Sequence, residues 1–190
     1  MLIAIVGMPG SGKTEAAELL VKKGFQFLRL GQLTLDEVKR RGLAPTEQNE
    51  RPIREDLRRE HGMDAFATLN FPKIDKLIKK GDVVIDGLYS WEEYLAFKKK
   101  YPGITVVAIH ASPKTRYARL EKRKLDKTDK DMKKRSATRE EAASRDRAQL
   151  ENLHTGPPIA MADFTVVNEG SLKEMQENIN EILKTMKAIK

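Results

Sequence analysis

The strongest constraint on this chain is the segment 7–14, which reads Gly-Met-Pro-Gly-Ser-Gly-Lys-Thr and follows the apolar run 2–6. This arrangement matches the P-loop pattern G-x-x-x-x-G-K-[ST] in its expected setting between a buried strand and a helix. Glycines let the backbone turn so that successive N–H groups point into one concavity and hold phosphate oxygens. The pattern predicts a binding site for a nucleoside triphosphate.

The side chains of this loop have distinct expected roles. The Lys13 ammonium supplies a positive charge for the β- and γ-phosphates, and the Thr14 hydroxyl is a hard oxygen ligand for Mg²⁺. The helix that begins near Lys13 adds its positive N-terminal end. We therefore predict that ATP and Mg²⁺ are bound by the whole loop, that is by Gly7, Met8, Pro9, Gly10, Ser11, Gly12, Lys13 and Thr14.

Length and composition favour one polar α/β domain over residues 1–190. The chain is 39% hydrophobic and 34% charged, and its sequence contains no cysteine. Disulfides, thiolate metal sites and a cysteine nucleophile are therefore excluded. Apolar runs stay well below the roughly eighteen residues that a membrane span needs, and the first run lacks the basic leader of a signal peptide. We expect a cytoplasmic protein with no membrane partner, either a monomer or a homodimer.

The net charge of +8 is concentrated in one segment. Residues 114–147 contain fourteen Lys and Arg against seven Asp and Glu, a net +7. Such a segment can bind nucleic acid or a polyanionic small ligand. Its single aromatic residue, Tyr117, does not provide the stacking platforms of single-strand binders. ATP is the simpler explanation, and nucleic-acid binding remains the less favoured alternative.

Alternating and β-branched runs predict four more strands, and the amphipathic segments between them predict helices. Pro45 and Pro52 are expected to bracket a turn. The predicted strands cover 25–30, 82–86, 104–110 and 162–168, and the predicted helices include 15–23, 35–41, 53–61, 73–80 and 91–101. A capping box of Ser171 and Glu174 predicts the start of the last helix.

Asp86 ends the predicted strand 82–86 and is followed by Gly87. Ligands of open α/β sheets collect at the carboxyl ends of the strands, where the P-loop also lies. We therefore predict that Asp86 is a catalytic residue and a metal ligand that orients Mg²⁺ or its waters.

Two segments are predicted to cover the site. Residues 32–71 are too long for an ordinary connection and form a helical insertion whose arginines, including Arg54 and Arg58, would bind the acceptor. Residues 124–150 form a lid, since 125–144 are nearly devoid of apolar residues and read as a charged, weakly packed hairpin. Before the lid, Arg116, Arg119 and Arg123 fall on one helical face, a spacing suited to phosphoryl oxygens.

With these motifs in place, the chain resembles the nucleoside-monophosphate-kinase branch of P-loop proteins, which includes adenylate kinase, dephospho-coenzyme A kinase and an archaeal kinase-like group. The resemblance covers essentially the full length and implies a three-layer α/β/α P-loop NTPase fold. Its five-stranded parallel sheet would have the order 2-3-1-4-5. The loop 168–171, with Asn168 and Gly170, would contact adenine. The implied catalytic arginines are Arg119 and Arg123 at the root of the lid, and Arg145 and Arg147 over the transferred phosphoryl group.

Two departures from this resemblance concern the acceptor. Monophosphate kinases commonly place an arginine after the Asp-Gly of the third strand, where this chain has Leu88, Tyr89 and Ser90. Dephospho-coenzyme A kinases usually carry an acidic residue after the second strand, where this chain has Gln32. We expect phosphoryl transfer from Mg-ATP to a nucleotide-type acceptor that contacts Tyr89. The alternatives are phosphorylation of a hydroxyl, as in dephospho-coenzyme A kinase, and an ATP-dependent regulatory or RNA-binding NTPase.

Overall fold

The computed structural model describes residues 1–123 and 137–188. Within these residues, five short strands and ten helices follow one another. They are β1 (Leu2–Val6), α1 (Lys13–Val21), β2 (Gln26–Arg29), α2 (Gln32–Arg40), α3 (Glu47–His61), α4 (Ala65–Thr68), α5 (Phe71–Ile78), β3 (Val83–Asp86), α6 (Trp91–Lys100), β4 (Thr105–His110), α7 (Pro113–Lys122), α8 (Arg139–Glu151), α9 (Gly156–Ala160), β5 (Phe164–Val167) and α10 (Leu172–Ala188).

The strands form one parallel sheet in the order β2-β3-β1-β4-β5, so the predicted order 2-3-1-4-5 is confirmed. Strand β1 lies in the centre between β3 and β4, and all five of its residues are buried. Parallel strands that are covered on both faces read as continuous apolar runs, which is why the sequence showed them clearly.

Helices cover both faces of the sheet and give the predicted three layers. On one face, α1 and α10 pack on Ile3, Ile5 and Val84. On the other face, α4, α5 and α6 pack on Ala4, Val83 and Ile85 through Phe66, Ile74 and Phe97 among others. The carboxyl ends of all five strands meet at one edge, and the loops that leave this edge build the site.

The structure corrects two local predictions. Pro52 lies inside α3 and does not mark a turn, so this helix starts at Glu47 and not near residue 53. Residues 139–144 belong to α8, whose N-terminus carries a capping box of Thr138 and Glu141. Ala142 of this helix is fully buried against Leu120, so this part of the predicted lid hairpin is a packed helix. The rest of the predicted hairpin, residues 124–136, lies outside the described residues.

The short helices α4 and α9 were not predicted. The predicted insertion, residues 32–71, contains α2, α3 and α4. The capping box of Ser171 and Glu174 is present, with both reciprocal hydrogen bonds at 3.2 Å. No helix in the described parts of the chain is long and apolar enough to cross a membrane.

Candidate functional site

The loop 7–14 connects β1 to α1 and has the tight backbone that its glycines predict. Gly10 has a φ of 80°, and a Cβ at this position would lie 2.7 Å from the carbonyl oxygen of Arg116 in α7. A side chain is therefore excluded both by the left-handed backbone and by the close approach of α7. Within the loop, the Ser11 hydroxyl is buried and has no hydrogen-bond partner among residues 1–123 and 137–188. This unused capacity fits a loop that binds a polar ligand.

Lys13 is folded back over its own loop. Its ammonium donates to the carbonyl oxygens of Gly7 at 2.7 Å and Met8 at 3.2 Å. The residue is only 9% exposed, and burial lowers the pKa of its ammonium to about 8 against the opposing effect of Asp86. Arg116 and Arg123 also lower this pKa, so α7 and its C-terminal end bring further positive charge to the loop. Positive charge is therefore concentrated at this loop, which suits the binding of an anion.

Asp86 ends β3 at the same edge of the sheet as the P-loop. It is buried, and in the sheet it lies in register with Ile5 of β1 and Arg29 of β2. Thr14 is half-buried in the first turn of α1. Both side chains offer hard oxygen atoms, and among the described residues no group of three His, Asp or Glu forms a metal cage. This donor set fits Mg²⁺, which is usually held by one or two protein oxygens together with substrate phosphates.

Tyr89 lies in the loop that follows β3, beside the P-loop. Its ring centroid lies 5.8 Å from the Lys13 ammonium, and burial raises the pKa of its phenol. The positive charges of Arg29 and Arg145 act on this phenol and oppose the rise. The structure therefore brings the predicted residues Lys13, Asp86, Tyr89 and Arg145 into one electrostatic neighbourhood, and it adds Arg29.

The predicted acceptor arginines of α3 differ in their surroundings. Arg58 is only 11% exposed, its guanidinium lies over the ring of Phe66 at 4.7 Å, and one of its nitrogens is 4.0 Å from the Glu93 carboxylate. Burial lowers the pKa of Arg58. Arg54 donates to Glu50 at 3.2 Å within the same helix. Arg58 thus points towards α6 and the Tyr89 loop.

The other arginines of the insertion are engaged on its surface. Exposed ion pairs between neighbouring turns join them to acidic residues of their own helices, and such pairs contribute little to stability. These pairs occupy the guanidinium groups within their own helices, and the expectation that they extend over the phosphate site stays a prediction. The pairs are Arg40–Glu37, Arg41–Glu37, Arg51–Glu55 and Arg59–Asp56.

The arginines of α7 and its end have separate positions. Arg116 is buried, donates to the Pro9 carbonyl and forms a bidentate pair with Asp146 of α8. Arg119 donates to the carbonyl oxygen of Asn168 at 2.9 Å. Arg123 is half-buried at the C-cap of α7, and its charge acts on Lys13.

The predicted adenine loop begins with a fully engaged residue. The Asn168 side chain donates to the Ser11 carbonyl at 2.7 Å, its N–H donates to His110, and its own carbonyl accepts from Arg119. Gly170 is exposed. Glu169 accepts hydrogen bonds from Ser112 and Thr115 at the start of α7, and these lower its pKa. Because the N–H of Asn168 is used, a backbone donor to a base in this loop would have to come from residues 169–171.

Arg145 and Arg147 lie two residues apart on α8 and therefore point about 200° apart around this helix. Arg145 is half-buried and acts on Tyr89, whereas Arg147 is exposed and lines an open cleft with Met8, His110 and Leu150. The helical period therefore directs the two side chains to different sides of α8, and their joint contact with one phosphoryl group stays a prediction.

Sequence reasoning missed three residues of this site, Arg29, Glu93 and Asp146, and it missed the contact of Arg116 with the loop. Arg29 could have been found, because it occupies the carboxyl end of a predicted strand. Asp146 pairs with a residue thirty positions earlier. No local sequence pattern indicates a pair between residues so far apart.

The fold and the loop define a P-loop protein of the kinase type. Residues 3–147 match the family AAA_18, described as "AAA domain". A UPF0200 protein of Pyrococcus abyssi is 35% identical over 187 residues, which cover 97% of this chain and 96% of that protein. A UPF0200 protein of Thermococcus sibiricus is 34% identical over 96% of this chain and 93% of its own length. The chain belongs to the AAA_18 family and groups with these archaeal UPF0200 relatives.

Solved structures of small-molecule kinases share the fold. A shikimate kinase from Aquifex aeolicus is 25% identical with a TM-score of 0.53, covering 98% of this chain and 96% of that chain. A gluconokinase from Sinorhizobium meliloti has a TM-score of 0.55 at 15% identity, covering 97% of this chain and 94% of that chain. A shikimate kinase from Bacteroides thetaiotaomicron has a TM-score of 0.59 at 15% identity, covering 98% of each chain.

Proposed function

We propose that this protein is a kinase that transfers the γ-phosphoryl group of Mg-ATP to an acceptor that carries a phosphate, most simply a nucleotide. The observation that carries the proposal is the position of Lys13, which is bonded to its own P-loop with the charge of Asp86 beside it. The kinase names of the solved neighbours support phosphoryl transfer, while the choice of acceptor rests on the residues discussed below.

In this proposal the loop amides and Lys13 hold the β- and γ-phosphates, and Thr14 and Asp86 hold Mg²⁺. Bound Mg²⁺ neutralises the charge that develops on the transferring group. The bond between the γ-phosphorus and the bridging oxygen of ADP breaks, and a bond from the γ-phosphorus to an acceptor oxygen forms. Arg119 and Arg123 hold the donor side, and Arg145 neutralises the group in transfer.

Positive charge around Tyr89 favours an anionic acceptor. Arg29 and Arg145 both act on Tyr89, and Arg58 faces the loop that carries it. An acceptor phosphate is already an anion, so its transfer needs no general base, whereas a hydroxyl acceptor benefits from one. The position after β2, where such a base is expected, holds Gln32, which donates to Asp36 in its own helix. Together these features support a phosphate acceptor.

Measurement of ADP formation tests this proposal. The wild-type protein is incubated with Mg-ATP and one acceptor at a time: the nucleoside monophosphates, dephospho-coenzyme A, shikimate, gluconate and RNA ends. We expect at least one nucleoside monophosphate to stimulate ADP formation above the rate with ATP alone. Lys13→Ala should abolish this activity, because the phosphates lose their cation.

If only shikimate, gluconate or dephospho-coenzyme A stimulates ADP formation, the acceptor group is a hydroxyl and the proposed phosphate acceptor is wrong. If none of the acceptors stimulates ADP formation, the kinase proposal fails. Binding to RNA with a steep negative salt dependence would then identify a regulatory NTPase.

A further inference from the structure

Two carbonyl groups of the P-loop accept hydrogen bonds from side chains that lie far away in the sequence. The Pro9 carbonyl accepts from Arg116 at 3.0 Å, and the Ser11 carbonyl accepts from Asn168 at 2.7 Å. In a planar trans peptide the carbonyl and the N–H of the following residue point in opposite directions. Fixing these two carbonyls therefore turns the N–H groups of Gly10 and Gly12 to the opposite side of the loop.

Hydrogen bonds to three acceptor groups fix the orientation of the Arg116 guanidinium. Its Nε donates to the Ala111 carbonyl at 3.0 Å, one Nη donates to Pro9 and to Asp146 Oδ1 at 2.8 Å, and the other Nη donates to Asp146 Oδ2 at 2.6 Å. The side chain is 5% exposed. A planar fork with both ends occupied cannot rotate without breaking two charge-assisted hydrogen bonds.

Asp146 is the component of this arrangement that does not itself reach the loop. It lies in α8, its side chain is 10% exposed, and its oxygens accept only from Arg116 and from the Tyr117 hydroxyl at 3.0 Å among the described residues. Without Asp146, Arg116 would keep two backbone contacts and a buried charge with no counterion. Such a charge is costly and would move towards water or bound phosphate.

We propose that Asp146 is a positioning residue for nucleotide binding: through Arg116 it fixes the peptide between Pro9 and Gly10, and with it the direction of a phosphate-binding N–H group. The assignment rests on the proposed function, since it takes the loop 7–14 as the nucleotide site. It separates the roles of α7 and α8. Arg116, whose spacing in the sequence suits phosphoryl oxygens, holds the loop, and its charge is balanced by Asp146.

The test compares ATP affinity with thermal stability. Dissociation constants for ATP with Mg²⁺ are measured by calorimetry for the wild type, for Asp146→Asn, and for a double variant with Arg116→Met and Asp146→Leu. Circular dichroism confirms that each variant is folded at the temperature used. The double variant replaces the ion pair by apolar groups, an exchange that is often neutral for stability. Tyr117→Phe is the matched control, because it removes one hydrogen bond to Asp146 and leaves Arg116 on Pro9.

We expect both Asp146 variants to bind ATP at least about tenfold more weakly, the loss that corresponds to one misdirected hydrogen bond to a charged group. Tyr117→Phe should stay within about twofold of the wild type. If the folded double variant also stays within this range, Asp146 has only a structural role and the inference is wrong. Should the double variant fail to fold, Asp146→Asn decides by the same criterion. A wild-type protein that binds no ATP would instead refute the proposed function, and the inference with it.

Discussion

Lys13 combines two properties that are rarely found in one side chain: it is deeply buried, and it faces further cations. Its hydrogen bonds to Gly7 and Met8 keep the ammonium in place, while burial lowers its pKa to about 8. A triphosphate at this position would favour the charged form and raise the pKa again. The protonation of Lys13 is therefore coupled to nucleotide binding.

Because of this coupling, ATP binding should take up about one proton per site near pH 9, where most Lys13 side chains of the free protein are neutral. Near pH 6.5 the side chain is charged before and after binding, so Lys13 contributes no uptake. Affinity for ATP should fall as the pH rises through about 8. Calorimetry in buffers of different ionisation enthalpy measures the number of protons.

Lys13→Arg is the control for this experiment, because a guanidinium stays charged at pH 9. This variant should take up no proton, whatever its affinity. Equal uptake by the wild type and by Lys13→Arg would show that another group carries the proton.

At the scale of elements, the sequence was most informative where one local pattern decides the structure. Strands β1, β3 and β4 were predicted because buried parallel strands are continuous apolar runs, and the edge strand β2 because its apolar and polar residues alternate. Helices α4 and α9 span only four and five residues, too few for a helical period to show. Pro52 was predicted to bound a turn, yet α3 continues through it, and Ile53 and Arg58 of this helix pack against its neighbours.

In the candidate site too, residues set by a local sequence pattern could be predicted, and residues brought together by tertiary packing could not. Loop 7–14 and Asp86 could be assigned from motif and position, since their chemistry depends on residue types at fixed spacing. The partners Arg116–Asp146 and Arg58–Glu93 depend on how α7 meets α8 and how α3 meets α6. Such distances between elements follow from tertiary packing and leave no periodic signal in one sequence.

Helix α6 contains a buried carboxylate with measurable consequences. Glu93 is fully buried, and it caps its own helix by accepting from the N–H groups of Tyr89 at 2.8 Å and Ser90 at 3.3 Å. Burial raises its pKa from 4.5 to about 7 against the opposing charge of Arg58. Between these two pH values the folded protein binds more protons than the unfolded chain, so rising pH costs stability.

Glu93→Gln keeps the accepting oxygen and removes this titration. Between pH 4.5 and 8, the free energy of unfolding of the variant should gain up to about 3 kcal/mol relative to the wild type. Urea unfolding at several pH values measures the difference. Glu121→Gln, at an exposed carboxylate on α7, removes the same charge without touching a buried group and is the matched control variant. Parallel profiles for Glu93→Gln and the wild type would contradict the raised pKa.

At the scale of the whole molecule, the proposed nucleotide site is built from segments distributed along most of the chain. The loop 7–14, the end of β3, helices α7 and α8, and residue 168 contribute to it. A ligand at this position contacts several elements at once and must stabilise the complete fold.

Mg-ATP at about one hundred times its dissociation constant should therefore add about 2.7 kcal/mol to the free energy of unfolding. For a chain of this size this corresponds to a rise in Tm of about 5–10 °C. Scanning calorimetry with and without Mg-ATP measures the shift, and Lys13→Ala should show almost none. A wild-type Tm that does not respond to saturating Mg-ATP would remove the basis for the site.

The central position of β1 also determines when this protein can fold during synthesis. Among residues 1–123 and 137–188, β1 pairs only with β3 and β4, and β2 pairs only with β3. A nascent chain that has not yet reached Val83 can form none of these strand pairs, although it already carries two apolar strands. Contacts of such long sequence separation slow folding and leave these segments open to aggregation. Ribosome-bound chains should therefore gain resistance to proteolysis only after β3, and more fully after β4, has left the exit tunnel.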